Sequence, residues 1–338
     1  MPARSPNAGR HDAGGPAFPS RLLRAARRKS SLVLLGIDPV YKRIPAYLRE
    51  AAESKYTSQI KAQALAIDAF SKLTIEACAA HVCAVKLQVA FFEVLGSTGF
   101  KVLEGLLKLA RRRRLIAIVD CKRGDIGTTS EAYAQAYFGR IEDGKLIDPP
   151  LACDAITVNP YLGTDTFDAF RPYFAFGKGV FVLVKTSNPS AMDVQDKLVV
   201  ETDAPRMPVH RVVAEMAKGW GADYVDKTRY SSVGAVVGAT QVADARLLRA
   251  MLPNQIFLVP GMGTQGGKLA ECTAFLDRKG TGAMFNFSRD IIYAFEADKS
   301  VPPDGKGFET AAAAAAERLK TEINGYIAGA GSQSVAQT

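Results

Sequence analysis

The chain has 338 residues, of which 48% are hydrophobic, and carries a formal net charge of +9 from 43 Lys and Arg against 34 Asp and Glu. No stretch reaches the roughly 18 consecutive apolar residues of a membrane span, so a soluble protein with no membrane partner is expected. Five cysteines (Cys78, Cys83, Cys121, Cys153 and Cys272) form neither a zinc-type pair of pairs nor a disulfide ladder, which points to a reduced, cytoplasmic compartment.

Residues 1–17, MPARSPNAGRHDAGGPA, are rich in Pro, Gly and Ala without apolar periodicity and read as a disordered tail. They lack the amphipathic helix of a transit peptide and the apolar core of a secretory signal. A single domain is expected over 18–328, followed by a flexible C-terminal tail, GAGSQSVAQT, over 329–338. Much of the positive charge lies in two runs, 21–28 and 111–114, with the remainder scattered. Without interleaved aromatics or a recognition helix, those runs read as solvated faces with an appetite for small anions rather than as a nucleic-acid surface.

Short apolar runs without polar alternation occur at 32–37, 82–87, 115–119, 153–158, 179–184, 233–238, 255–259 and 282–287. Runs of this kind suit parallel strands covered on both faces. Helical patterns separate them, among them YTSQIKAQALAIDAFSKLTIEACAA, FKVLEGLLKLARRRR, SEAYAQAYFGRI, HRVVAEMAKGW and VADARLLRAML; ETAAAAAAERLKTEINGYIA follows the last run. Eight β/α repeats predict a TIM barrel, with a doubly wound sheet as the alternative.

In a barrel the chemistry sits where strands end. Polar residues stand at each such point: Asp38, Lys86, Asp120 and Lys122, Asn159, Lys185 and Ser187, Thr240, Gln265 and Arg289. Solvated turns would also be polar, but they would not so regularly carry Gly or Pro beside them, as in GIDP, VNPYLG, SNPS and GMGTQGG.

The stretch DCKRGDIG, 120–127, follows the run LIAIV and packs two acids and two bases into six positions. On an extended strand end, positions i and i+2 share a face, so Asp120 and Lys122 are expected to project together into the barrel mouth, within reach of Lys86. Such an array is costly to desolvate and poor as a stabilising device, which favours a functional role over a solvated turn. Asp125 lies beyond the strand and aims elsewhere, where a neighbouring subunit could use it.

VPGMGTQGGK, 259–268, contains a formal G-x-G-x-x-G at Gly261, Gly263 and Gly266. It follows the seventh run, whereas a dinucleotide fingerprint belongs on the first strand of a βαβ unit with an acid about 20 residues on. The loops after strands seven and eight of a barrel commonly form a phosphate site, with Arg289 as a fork. The competing role for Arg289 is a rim ion pair with Asp290. The three histidines show no metal-ligand spacing and no G-x-S-x-G elbow is present, which argues against a zinc hydrolase or a catalytic triad.

Together GIDP, AVKLQVAFFE, DCKRGDIGTT, TVNPYLG, KTSNPSAMDVQD, VVGAT, VPGMGTQGG and FNFSR make the chain resemble the orotidine 5′-monophosphate decarboxylase family, in its bacterial subclass with the K-R-G-D-I signature. The resemblance covers about 18–293. It implies a TIM barrel, a homodimer with active sites at the subunit boundary, no cofactor or metal, and orotidine 5′-monophosphate as substrate. It places Lys86, Asp120, Lys122 and Asp125 in a catalytic charge array, the last supplied by the partner subunit together with Ile126 and Thr129. It also implies that Asp38 holds a ribose hydroxyl, Ser187 meets the pyrimidine, Gln265 reaches the phosphate from a closing loop, and Arg289 clamps it; Pro260 and Ser288 complete the substrate-binding set. Two positions stand out: Cys121 where the family usually has alanine, and the adjacent Thr128 and Thr129, between which spacing alone chooses. The rival reading is a Mg²⁺-dependent sugar-phosphate decarboxylase or aldolase on a related barrel.

Overall fold

The computed structural model describes residues 15–200, 205–263 and 266–335. All eight apolar runs form strands of one closed parallel barrel: β1 Val33–Ile37, β2 Ala84–Gln88, β3 Ile116–Arg123, β4 Ala155–Val158, β5 Gly179–Lys185, β6 Val233–Val237, β7 Phe257–Pro260 and β8 Ala283–Phe287. Each strand pairs with its neighbours in sequence, and β8 closes onto β1 through Val33↔Phe285 and Leu34↔Asn286. This is the expected TIM barrel, and the doubly wound alternative falls away.

β1 and β6 are buried at every position. Strands enclosed by side chains within and helices without have no wet face, which is why their sequences show runs instead of alternation. The outer helices include Gln59–Cys78, Gly96–Arg112, Gly127–Phe138, Val209–Gly221 and Val242–Met251. The helix Phe18–Lys29 covers the face at which the strands begin: Phe18 is buried edge-to-face on Phe181 of β5, ring centroids 5.9 Å apart.

Three details depart from the sequence reading. β3 runs on to Arg123, so Asp120 and Lys122 belong to the strand itself. The pattern SEAYAQAYFGRI ends its helix at Phe138, and the chain turns back as a ribbon pairing Arg140–Glu142 with Lys145–Ile147. The last helix, Phe308–Val335, runs through 329–335, where a tail was expected. Its alanine-rich sequence is a strong helix former and contains no proline to stop it. Residues 1–14 of the expected N-terminal tail and 336–338 of the C-terminal one lie outside the described residues.

Candidate active site

Lys86 and Asp120 occupy neighbouring strand ends because β2 and β3 pair in register Gln88↔Asp120. Both are buried, at 3% and 7% exposure. Lys86 Nζ donates to Asp120 Oδ2 at 2.8 Å and lies 3.8 Å from Asp38 Oδ1 at the exit of β1. Lys122 Nζ donates to the other oxygen, Asp120 Oδ1, at 2.7 Å. Four of the predicted residues thus form a line of alternating charge: Asp38, Lys86, Asp120, Lys122. Lys122 is its wet end, with 47% of its side chain exposed.

Asp120 accepts two further hydrogen bonds, from Gln88 Nε2 (3.1 Å) and Thr157 Oγ1 (2.9 Å). Burial opposes its charge, but the ammonium groups of Lys86 and Lys122 and their hydrogen bonds outweigh it and hold the carboxyl well below the usual carboxylate range. For Lys86, burial favours the neutral amine, yet Asp120 and Asp38 overcome it and raise the pKa above its ordinary value. Each group keeps the other ionised.

The shared face of Asp120 and Lys122 is not produced by regular pleating alone. Lys122 has φ +47°, and the β3–β4 register shifts between Val119 and Arg123. Thr157 Oγ1 accepts the Lys122 N–H at 2.9 Å, fixing the irregularity. A non-glycine residue at positive φ costs free energy that its surroundings must offset, and such positions concentrate at functional sites.

Asp125 stands apart. Its Oδ1 accepts the N–H of Ile126 at 2.9 Å, its carbonyl accepts Thr166 Oγ1 at 2.9 Å, and it forms no ion pair among the described residues. Ile126 is 51% exposed, an apolar side chain on the rim. Thr128 and Thr129 are both exposed on the first turn of the Gly127–Phe138 helix. Cys121 alternates to the buried side of β3, as expected, and burial pushes its thiol up to about 12.

At the exit of β8, the strand that pairs with β1, Ser288 is buried and Arg289 is exposed at the start of the short helix Arg289–Ile292. Arg289 forms no ion pair among the described residues. Gly36 of β1 makes room for the polar end of β8: a Cβ there would sit 1.9 Å from Ser288 Oγ and 2.9 Å from Asn286 Oδ1. Pro260 ends β7. Gln265 lies outside the described residues. Ser187, two residues past β5, is half-buried, and the close approach of β6 to its backbone requires glycine at 238, where a Cβ would lie 2.6 Å from Ser187 N.

Residues 34–296 match the family described as Orotidine 5′-phosphate decarboxylase / HUMPS. The chain is 39% identical over 311 residues to the orotidine 5′-phosphate decarboxylase of Caldicellulosiruptor bescii, covering 92% of this chain and 99% of that one. The chain belongs to the orotidine 5′-phosphate decarboxylase / HUMPS family. Among solved structures, Leishmania donovani UMP synthase aligns with TM-score 0.71 and 31% identity, over 93% of this chain and 57% of that longer one. The orotidine-monophosphate-decarboxylase structure from Toxoplasma gondii aligns with TM-score 0.75 and 29% identity, over 94% and 98%.

In this family member, several residues of the site escape sequence reading. Thr157 and Gln88 complete the ligation of Asp120, and Asn286 donates to Ser288 Oγ at 3.4 Å while its buried Oδ1 has no hydrogen-bond partner among the described residues. A second charged group lies behind Ser187. Lys185, 1% exposed at its side chain, donates to Asp196 and lies 3.9 Å from Asp244; His210 faces Asp196 through Nδ1 at 3.3 Å and Asp244 through Nε2 at 3.5 Å. Asp196, His210 and Asp244 place one ligand atom each within 4.8 Å of one another, a metal-like grouping absent from the linear spacing of the histidines. The Lys185 ammonium already supplies the positive charge there, so the cluster reads as a tether holding the loop after β5 to the helices Val209–Gly221 and Val242–Met251.

Proposed function

We propose that this protein converts orotidine 5′-monophosphate to UMP and CO₂, the step that supplies UMP in pyrimidine biosynthesis, and that it does so as a homodimer in the cytoplasm. The observation that carries the reading is the line of charge ending in Lys122. An ammonium hydrogen-bonded to an ionised carboxylate, with its remaining protons open to the mouth, suits a reaction that develops negative charge on carbon.

Loss of CO₂ breaks the bond from C6 to the carboxylate and leaves its electron pair on C6, in an orbital that the pyrimidine π system cannot stabilise. The barrier must therefore be lowered by charges fixed in advance, which need little reorganisation when the carbanion forms. Lys122 stabilises that lone pair and then delivers its proton to C6, and the neutral amine regains a proton from water. Asp120 holds Lys122 in place on one side, and Asp125 of the partner subunit holds it on the other, arriving with Ile126 and Thr129. The half-exposed Ile126 and the absence of a lysine partner for Asp125 among the described residues support this arrangement.

The remaining roles follow the mouth. Asp38 has a buried oxygen without a hydrogen-bond donor among the described residues, the complement of a ribose hydroxyl. Ser187 meets the pyrimidine, Arg289 forks the phosphate beside Ser288 and Pro260, and Gln265 joins them. Binding energy from the phosphate is then spent at the distant reacting carbon. The five cysteines are free and buried, which supports a reducing compartment, and no helix among the described residues is long and apolar enough to cross a membrane.

The test is the absorbance change when purified protein meets orotidine 5′-monophosphate in EDTA. Turnover that survives chelation is expected. Absence of CO₂ release, or release only after added Mg²⁺, overturns the proposal.

A further inference from the structure

The two basic runs of the sequence converge on one cavity, far from the mouth. It holds about 470 Å³ and lies where the strands begin, between the helices Phe18–Lys29 and Gly96–Arg112 and the approaches to β3, β4 and β5. Ala117, near the start of β3, lines it, and Lys122 stands near the other end of the same strand. Arg21, Arg24, Arg28, Arg111, Arg114 and Lys178 line this space against two carboxylates, Asp148 and Asp154.

Both carboxylates are already engaged. Asp154 pairs with Arg21 and accepts the Ala117 N–H at 2.7 Å, and Asp148 pairs with Arg111 at 2.9 Å. The other four cations form no ion pair among the described residues. Arg28 donates to the Arg114 carbonyl at 2.5 Å, and Lys178, 7% exposed, donates to the Cys153 carbonyl at 2.7 Å. Arg24, Arg28 and Arg114 are exposed, so the cost of desolvation falls on Lys178 alone: its Nζ also lies over the Phe138 ring, 5.9 Å from the centroid, but no carboxylate among the described residues pairs with it, and a buried charge is costly unless a counter-charge completes it.

We infer that this cavity is a second ligand site, for a small multivalent anion of the polyphosphate class. Guanidinium groups match phosphate oxygens in a fork, and the Lys178 ammonium adds a point charge at the closed end. Four unpaired cations favour a chain of phosphates over a single carboxylate. The volume lies in the range of small-molecule pockets, and Leu107 and Leu115 provide an apolar wall for whatever body the phosphates carry.

Inorganic tripolyphosphate is the probe, titrated calorimetrically into the full chain at low salt. Arg289→Ala protein serves as the second background, since the fork at the mouth is the other place a phosphate would settle. Saturable binding is expected in both. The double variant Arg24→Ala/Arg114→Ala, at exposed positions that leave the core intact, should weaken it at least tenfold. Lys178→Met should do the same in protein whose thermal midpoint shows it folded, whereas the charge-matched control Arg246→Ala/Lys299→Ala should bind normally. No binding at millimolar tripolyphosphate, equal loss in the control, loss in Arg289→Ala, or undiminished binding in Arg24→Ala/Arg114→Ala overturns the inference.

Discussion

Lys122 and Asp120 touch one another but differ in burial, and that difference separates their variants. Lys122 is half open to solvent and reaches the core only through Asp120, which keeps Lys86, Gln88 and Thr157 as partners without it, so Lys122→Ala should leave the thermal midpoint close to wild type while kcat falls by at least about 10²–10³-fold, the scale of losing one preorganised charge. Near-normal turnover in that variant would remove Lys122 from the chemistry. Asp120→Asn should lose both activity and stability, because Lys86 is left as a buried charge without its main partner, at a cost of about 3–5 kcal/mol. The acid limb of the stability profile adds a further check. The folded pKa of Asp120 is depressed, so its contribution is present above the unfolded carboxylate range near pH 4 and drains away as pH falls toward the folded value. Lys86 has the opposite sign: its pKa is raised, so its contribution holds below about pH 10 and is lost as pH climbs through the folded value. In chemical denaturation, the gap between wild type and Asp120→Asn should be flat from pH 7 to about 4 and narrow below that. A gap unchanged at pH 2 would mean that the carboxylate is not what the variant removes. The charged members of this array were legible because ionised residues at the end of an apolar run are conspicuous. Thr157 was not, since a threonine inside CDAITV looks like any other β-branched strand residue. Only the β3–β4 irregularity brings its hydroxyl between Asp120 and the Lys122 amide.

At the level of elements, the strands deliver their functional groups within their last few residues or just past them, and the loops that follow must then be held. After β5 that holding falls to Lys185, Asp196, His210 and Asp244, which span the strand, the 186–200 loop and two helices. The Lys185 hydrogen bond, against a small burial penalty, keeps the Asp196 carboxyl below its ordinary value. Asp196→Ala leaves the buried Lys185 without its nearest counter-charge. The expected loss is about 2–3 kcal/mol, less than for a fully enclosed pair because Asp196 is itself 44% exposed. Since Ser187 lies two residues beyond Lys185, the same variant should raise KM for the nucleotide more than it lowers kcat. Denaturation and steady-state kinetics on one preparation read both effects, and a KM unchanged alongside a destabilised fold would reduce the cluster to a structural tether. The strands and main helices were legible from the sequence because enclosed parallel strands write themselves as unbroken apolar runs. This cluster was not, because its members lie up to 59 positions apart in sequence, and a lone histidine opening a helix carries no local sign of its partners. The C-terminal helix exceeded its expected end for a related reason: Gly and Ser in GAGSQSV lower helix propensity without forbidding the helix.

The whole molecule raises the question of where one active site ends and a second begins. Within a single chain Asp38, Lys86, Asp120 and Lys122 converge, whereas Asp125 turns its carboxylate to its own backbone neighbour. Periodicity and strand register describe one barrel and carry no record of what packs against its rim, so the sequence made the barrel readable and left the seam to be inferred from Asp125 alone. If Asp125 completes Lys122 across a two-fold axis, each site of a dimer draws Lys122 from one chain and Asp125 from the other. Lys122→Ala and Asp125→Ala homodimers are then each inactive at both sites. In a mixed dimer, one site carries both lesions and the other carries neither. Random pairing makes half the dimers mixed, with one working site of two, so co-expression should recover about a quarter of wild-type activity per site. Purification through two different affinity tags, which isolates the mixed species, should raise that to about half. Had Asp125 acted within its own chain, each subunit would carry one lesion whatever its partner, and neither mixing nor selection would restore turnover. Recovery on mixing therefore separates a shared site from two independent ones, whatever the strength of the dimer.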